Sequence, residues 1–155
     1  MRLRKHSLLG FLVLGWVSTF MLVHVASSAN LSPDLQRYVG TWQAQFKGTT
    51  FVVLRLREQD SKLGGTVVHA THVQADPKGE LLAVDITNVE DKIVEAHATK
   101  DKLIFNIAES ADQGNLVQCE LTMTAKDAGQ LQMIVPAPGR QFKPWRINRI
   151  SRNTR

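Results

Sequence analysis

Cysteine is nearly absent from this sequence, and the short motifs of common enzyme families are missing altogether. A single cysteine among 155 residues excludes an intramolecular disulfide framework and a thiolate zinc cluster. The chain also lacks a Walker loop, a dinucleotide-binding glycine fingerprint, a Gly-x-Ser-x-Gly elbow and a zincin helix. We therefore expect a protein that uses no cofactor and is not an enzyme.

Long hydrophobic runs are absent after the N-terminal region. Basic residues within residues 1–5 precede an almost wholly apolar stretch over residues 7–25, and Ser27-Ser28-Ala29 supplies the small residues that a signal peptidase requires. This pattern predicts a signal peptide over residues 1–29 and export of one domain, residues 30–155, to the periplasm or the extracellular space. The apolar stretch is about 19 residues long, which is enough to span a bilayer. An uncleaved membrane anchor is the alternative.

Positive charge is concentrated at the two ends of the chain. The formal net charge is +5, but residues 30–139 contain 14 acidic and 10 basic residues, whereas residues 140–155 contain six basic residues and no acid. No basic helix or interleaved aromatic platform accompanies the C-terminal residues, so we expect no nucleic-acid partner. Two interpretations of these basic residues stay open: they make a weak contact with an anionic membrane surface, or they belong to a solvated last strand.

Sustained helical periodicity is also missing. Ser32-Pro33-Asp34 has the residues of a helix start and predicts one short helix, from about Pro33 to Tyr38. From Val39 onward, short β-branched runs alternate with turn residues, which predicts an all-β, antiparallel up-and-down meander barrel of about eight strands. The predicted turns lie at residues 47–48, 59–61, 76–79, 90–91, 100–101, 112–115, 127–129 and 136–139.

Apolar residues at every second position predict which side chains enter the barrel. Leu103, Phe105 and Ile107 share one face and Asn106 lies on the other. The same pattern places Val94 with Ala96 inside. The predicted inward set that could line a ligand cavity is Ala44, Phe46, Val84, Ala96, Phe105, Leu121, Met123 and Met133, with His69 as a further candidate.

The first strands carry a resemblance to a known group of barrels. Gly40-Thr41-Trp42, entered from a short helix, resembles the opening of the calycins, which include the lipocalins and avidins. The resemblance implies that Trp42 closes one end of the barrel and that a basic residue of the last strand, Arg146 or Arg149, packs across it. Residues 38–70 are similar to avidin, and small exported bacterial proteins of unknown function share the pattern.

An avidin-like biotin site is not expected. Ala44 and Val67 stand where an avidin has polar residues, and neither can pair with the ureido group of biotin. The orientation of His69 is open, because the avidin register turns it inward whereas the apolar neighbours Val68 and Ala70 turn it outward. A bulge at Gly64-Gly65 would reconcile the two.

The histidines do not predict a metal or catalytic site. His69 and His72 are three residues apart on a strand and so point to opposite faces, while His97, Glu95 and Asp85 are expected on the wet face. Cys119 alternates with core residues and is expected to be an inert, buried thiol.

These observations predict an exported β-barrel that binds an apolar small molecule. The alternative is a barrel with a filled core that acts as an envelope interaction or inhibitor module through its rim loops and basic C-terminus. Interior volume separates the two, because pockets that enclose a ligand begin at about 300 Å³. The oligomeric state is not predicted.

Overall fold

Eight antiparallel strands close into a barrel in the computed structural model of this chain, which describes residues 31–85, 87–109, 115–134 and 142–152. In chain order the elements are α1 (Pro33–Gln36), β1 (Gly40–Phe46), β2 (Thr49–Gln59), β3 (Lys62–Ala70), β4 (Val73–Ala75), β5 (Leu81–Val84), β6 (Asn88–Ala98), β7 (Lys102–Ala108), β8 (Leu116–Ala125), β9 (Ala128–Ile134) and β10 (Trp145–Ser151). The predicted fold class, with its short N-terminal helix, is confirmed.

The barrel is a meander with one insertion. Its strand order is β1-β10-β9-β8-β7-β6-β3-β2, and β4 and β5 pair with each other as a separate two-stranded sheet between β3 and β6. The β1–β2 turn has positive φ at both Lys47 and Gly48, as does the β2–β3 turn at Asp60 and Ser61. Such turns match the twist of a tight hairpin, so local sequence determines these two connections.

The two ends of the barrel differ in their connections. At the closed end, which we define as the end where β1 begins, short links join β2 to β3, β6 to β7 and β8 to β9, and α1 lies there as well. At the open end, where β1 finishes, the β4–β5 hairpin is inserted. Of the sequence-based predictions, the signal segment 1–29, the turn at 136–139 and most of the turn at 112–115 lie outside the described residues.

Strand β6 departs from the predicted alternation. The predicted turn at Glu90-Asp91 is wrong, because both residues lie within β6 and Asp91 is buried. A register shift follows between Val94 and His97, with Glu95 at a φ of 52°. The extra residue of this bulge moves the inward face by one position. Asp91 and Ile93 are therefore buried before it, and Val94, predicted inside, pairs with the outward-facing Asn106.

Two further expectations fail for local reasons. Val84 was expected inside the barrel but belongs to β5, outside the closed sheet. No bulge occurs at Gly64-Gly65, because the β2–β3 register runs through both residues without a shift. Gly65 has a φ of 149°, and a Cβ there would lie 1.8 Å from the carbonyl oxygen of Arg55. Glycine is needed at this position for close approach of the two backbones.

Several side chains of the core have no exposed surface. The side chains without exposed surface include Trp42, Leu54, Leu56, Leu103, Leu121 and Ile147. They come from five different strands and meet because period-two alternation turns one face of each strand inward. Across the described ranges, no helix has the length and apolar character needed to cross a membrane.

Candidate functional site

The closed end is sealed by a tryptophan under an arginine. Trp42 is fully buried, and its Nε1–H donates to the carbonyl oxygen of Tyr38 at 2.8 Å. The guanidinium carbon of Arg149 lies 4.3 Å from the centre of the Trp42 ring, a cation–π geometry. Arg149 also donates to the carbonyl oxygens of Val39 at 3.1 Å and Arg37 at 2.5 Å. Arg149 thus joins the last strand to Trp42 of the first strand and to the short segment that follows α1.

Strand parity explains why Arg149, and not Arg146, occupies this position. Arg149 lies on the same face of β10 as the buried Trp145 and Ile147, whereas Arg146 is exposed on the other face. Burial, followed by the nearby charge of Arg152, lowers the pKa of Arg149 from its usual value. The carboxylate of Asp127, 3.3 Å from the Nε of Arg149, opposes that shift.

A second cation covers the same end. The guanidinium carbon of Arg37 lies 4.9 Å from the centre of the buried Tyr38 ring, and Arg37 donates to the carbonyl oxygen of Lys100 at 2.7 Å. Burial raises the pKa of the Tyr38 hydroxyl, and the charge of Arg37 partly opposes this. Two arginines therefore tie the chain near α1 to the short connections of the closed end.

The open end holds an apolar cavity of about 70 Å³, which we call the inner pocket. Its walls are mainly aromatic and aliphatic, and its polar lining residues are His69 and Glu109. Among the apolar lining residues are Phe51, Phe105, Cys119, Leu131, Met133 and Trp145. The cavity is well below the ~300 Å³ of pockets that enclose a drug-sized ligand. It can therefore admit a terminal group but not a whole ligand of that size.

Two aromatic rings separate the inner pocket from a second hollow. Phe51 and Trp145 line both spaces, and their rings meet edge to face with centres 5.1 Å apart. The second hollow, which we call the outer groove, has a volume of about 220 Å³. The β4–β5 hairpin borders it and is attached by Lys143, whose Nζ lies 2.5 Å from Glu80 and whose N–H donates to the carbonyl oxygen of Gly79 at 3.0 Å.

A buried ion pair stands in the wall beside the inner pocket. The Nε2 of His69 lies 3.0 Å from a carboxylate oxygen of Asp91, and its Nδ1 lies 2.9 Å from the carbonyl oxygen of Ala70. The Asp91 side chain is 5% exposed and that of His69 25%. Because a carbonyl can only accept, the Nδ1 proton is fixed. The ring of His69 therefore bridges the carbonyl oxygen of Ala70 and the carboxylate of Asp91.

The structure brings together only part of the predicted ligand-binding set. His69, Phe105 and Met133 line the inner pocket, so the orientation left open for His69 is towards the interior. Phe46 lines the outer groove instead. Of the remaining candidates, Ala44 is fully buried in the core, and Ala96 and Met123 are partly buried against it without lining either space.

Three residues that matter here were not predicted as site residues. Trp145 precedes the two arginines considered for closure, and its alternation with Ile147 already indicates an inward side chain. Phe51 lies beside a register shift between β1 and β2, which period-two alternation does not reveal. Asp91 could have been found from the spacing Val89-x-Asp91-x-Ile93, which is that of a strand.

The other groups considered for chemistry do not converge. His72 is exposed with its Nδ1 3.6 Å from Asp85, and Glu95 accepts from the Nδ2 of Asn106 at 2.6 Å. No group of three or more potential metal ligands occurs in the described part of the chain. Cys119 is buried, and desolvation raises its pKa to about 12. A thiol with so high a pKa is a poor nucleophile near neutral pH.

Comparison with known proteins adds no relative to this description. A scan against protein-family models, a search of curated proteins and a search of solved structures each found no match for the chain.

Proposed function

We propose that this chain is an exported, calycin-like barrel that binds a small, mainly apolar molecule at its open end. The observation that carries the proposal is the contrast between the sealed closed end and the apolar inner pocket at the other. The Gly40-Thr41-Trp42 opening and the packing of Arg149 over Trp42 support the calycin-like assignment. The inner pocket is smaller than the interior volume expected of a carrier. The part of the ligand that it encloses is therefore a terminal alkyl group or a single small ring.

The proposal is tested with a small aromatic probe and two matched variants. Toluene is expected to bind protein produced from the full-length chain, as measured by the rise of the unfolding midpoint with toluene concentration. Ala70→Leu fills space in the pocket wall and is expected to abolish this rise. Ala96→Leu adds the same volume against the core, away from the pocket, and is expected to leave it. Equal behaviour of the two variants, or no rise in the wild type, would contradict the proposal.

Export is the second part of the proposal. The basic start, apolar stretch and Ser27-Ser28-Ala29 site support cleavage after Ala29. The intact mass of protein recovered from outside the cytoplasm is expected to correspond to a chain that begins at Asn30. A mass that includes residues 1–29 would instead support a membrane anchor.

A protein-interaction module is the second candidate, because apolar side chains are exposed around the open end. Val89 and Leu116, near the starts of β6 and β8, are 38% and 46% exposed, and Leu82 in β5 is 55% exposed. The basic C-terminal region supports it less, since Lys143 pairs with Glu80 and Arg152 with Asp127. Native mass spectrometry separates the candidates. A protein partner lost in a Leu82→Ser, Leu116→Ser variant would favour this one, and a small-molecule adduct the first.

A further inference from the structure

The two tryptophans of the barrel differ in whether their indole N–H groups have a partner. The Nε1–H of Trp42 donates to the carbonyl oxygen of Tyr38 at 2.8 Å. The Nε1 of Trp145 is equally buried, but it has no hydrogen-bond acceptor among the residues that the structure describes. Trp145 as a whole is only 7% exposed, so its ring is packed. The indole N–H, the one polar group of its side chain, is therefore buried without a partner in the described structure.

An unpaired buried donor on a residue that lines a pocket is a place where a ligand that displaces neighbouring side chains can gain affinity. Buried polar groups are nearly always paired, because losing contact with water is costly unless another acceptor replaces it. We propose that the ligand supplies this acceptor: a neutral carbonyl or ether oxygen that accepts from the Nε1–H of Trp145. This inference rests on the proposed function and adds the chemical class of the ligand.

The charges around the inner pocket favour a neutral acceptor over a carboxylate. The positive charge that His69 could offer is already matched by Asp91, 3.0 Å away. Glu109 also lines the pocket, whereas no lysine or arginine is found among the described lining residues. Within the inner pocket a bound carboxylate would therefore lack a counter-ion and would face a like charge, and both effects oppose its transfer from water. Lys143 and Arg146 line the outer groove instead. The acceptor belongs to a ketone, an ester, an amide or an ether.

The position of Trp145 places this acceptor near the middle of the ligand. Trp145 borders both the inner pocket and the outer groove, and the groove is also lined by the apolar Phe46, Leu81 and Pro144 and by the charged Glu80, Lys143 and Arg146. A short apolar group on one side of the oxygen would occupy the inner pocket. A longer chain on the other side would extend along the groove. Such a ligand needs less enclosed volume than one held wholly inside.

The indole resonances of the two tryptophans provide the test. Protein produced from the full-length chain is labelled with ¹⁵N and titrated with 2-heptanone, with heptanoate and with toluene, and the indole N–H signals are followed by NMR. The Trp145 signal, assigned from Trp145→Phe, is expected to move downfield with 2-heptanone, while the Trp42 signal stays in place as the internal control. Heptanoate is expected to bind at least roughly fivefold more weakly than the ketone, because its carboxylate would enter the inner pocket without a counter-ion.

Two variants separate the hydrogen bond from the charge. Trp145→Phe keeps an aromatic ring without the N–H. It is expected to weaken the binding of 2-heptanone roughly two- to tenfold and to have little effect on the binding of toluene. Glu109→Gln removes a negative charge from the pocket lining and is expected to strengthen heptanoate binding. Glu90 forms an exposed pair with Arg55 outside the barrel, so Glu90→Gln is expected to leave heptanoate binding unchanged.

The outcomes distinguish this inference from the proposed function. If toluene binds but 2-heptanone leaves the Trp145 signal in place, or heptanoate binds as tightly as the ketone, the inference is overturned and the proposed function stands. If toluene and 2-heptanone both fail to bind, both are overturned. The wild-type titration decides the matter even if Trp145→Phe does not fold, because Trp42→Phe, together with Trp16→Phe where residues 1–29 are retained, then identifies the Trp145 signal.

Discussion

The two ends of the barrel use the same kinds of residue to different effect. At the closed end Arg149 stacks on Trp42 and donates to backbone carbonyls, and the indole N–H of Trp42 is paired, while the Nε atoms of Arg37 and Arg149 are buried without a hydrogen-bond partner among the described residues. At the open end an aromatic ring keeps an unpaired N–H and a small cavity persists beside it. Local departures from good packing and pairing tend to mark functional positions. The comparison therefore assigns stability to one end and binding to the other.

The strongest test of this division is truncation of the closed-end tryptophan. Trp42→Ala is expected to destabilise the fold by about 3 to 5 kcal/mol, since it removes a fully buried aromatic ring and its hydrogen bond. Urea unfolding followed by circular dichroism measures the change. Arg149→Ala, its partner in the stack, is expected to cost less, on the order of 1 to 2 kcal/mol. A loss under about 1 kcal/mol for Trp42→Ala would show that the closed end does not carry the stability assigned to it.

The buried ion pair is expected to be the largest single contribution at the open end. Asp91→Asn keeps the shape of the side chain but removes the charge that faces His69. We expect a loss of about 2 kcal/mol, less than the roughly 3 to 5 kcal/mol of a fully buried pair, because His69 is partly exposed. The exposed His72–Asp85 pair supplies the control, and Asp85→Asn should change the free energy of unfolding by less than about 1 kcal/mol.

The meander could be predicted from the sequence, but the site only in part. Regular alternation along β7 and β8 predicts Phe105 and Leu121 inside, because each strand carries its own period-two signal. The bulge at Glu95 has no such signal, and one extra residue moves the inward face for the rest of β6. The contact between Phe51 and Trp145 joins residues far apart in the chain, so it depends on barrel closure and not on local pattern.

The ionisation of Cys119 tests whether water reaches the inner pocket. Burial raises its pKa from 9.0 to about 12, so the folded state keeps the thiol protonated over a range where the unfolded chain ionises. Burial of the neutral Cys119 thiol therefore stabilises the fold fully below pH 9, and this stabilisation is lost as the pH rises from 9 towards 12. We expect the wild type to lose about 1.4 kcal/mol per pH unit above that limit relative to Cys119→Ala. Parallel profiles for the two proteins would mean that water reaches the thiol.

The smallest expected effect compares the two ends directly. Trp42→Phe and Trp145→Phe remove the same atoms from two well-buried rings, so much of the packing loss should be similar. Only Trp42→Phe also breaks a hydrogen bond and leaves the carbonyl oxygen of Tyr38 without its donor. We therefore expect Trp42→Phe to be more destabilising by about 1 kcal/mol. Paired urea titrations measure this difference. A larger loss at Trp145 would mean that its N–H already has a partner in the folded protein, and the assignment of that group to a ligand would fail.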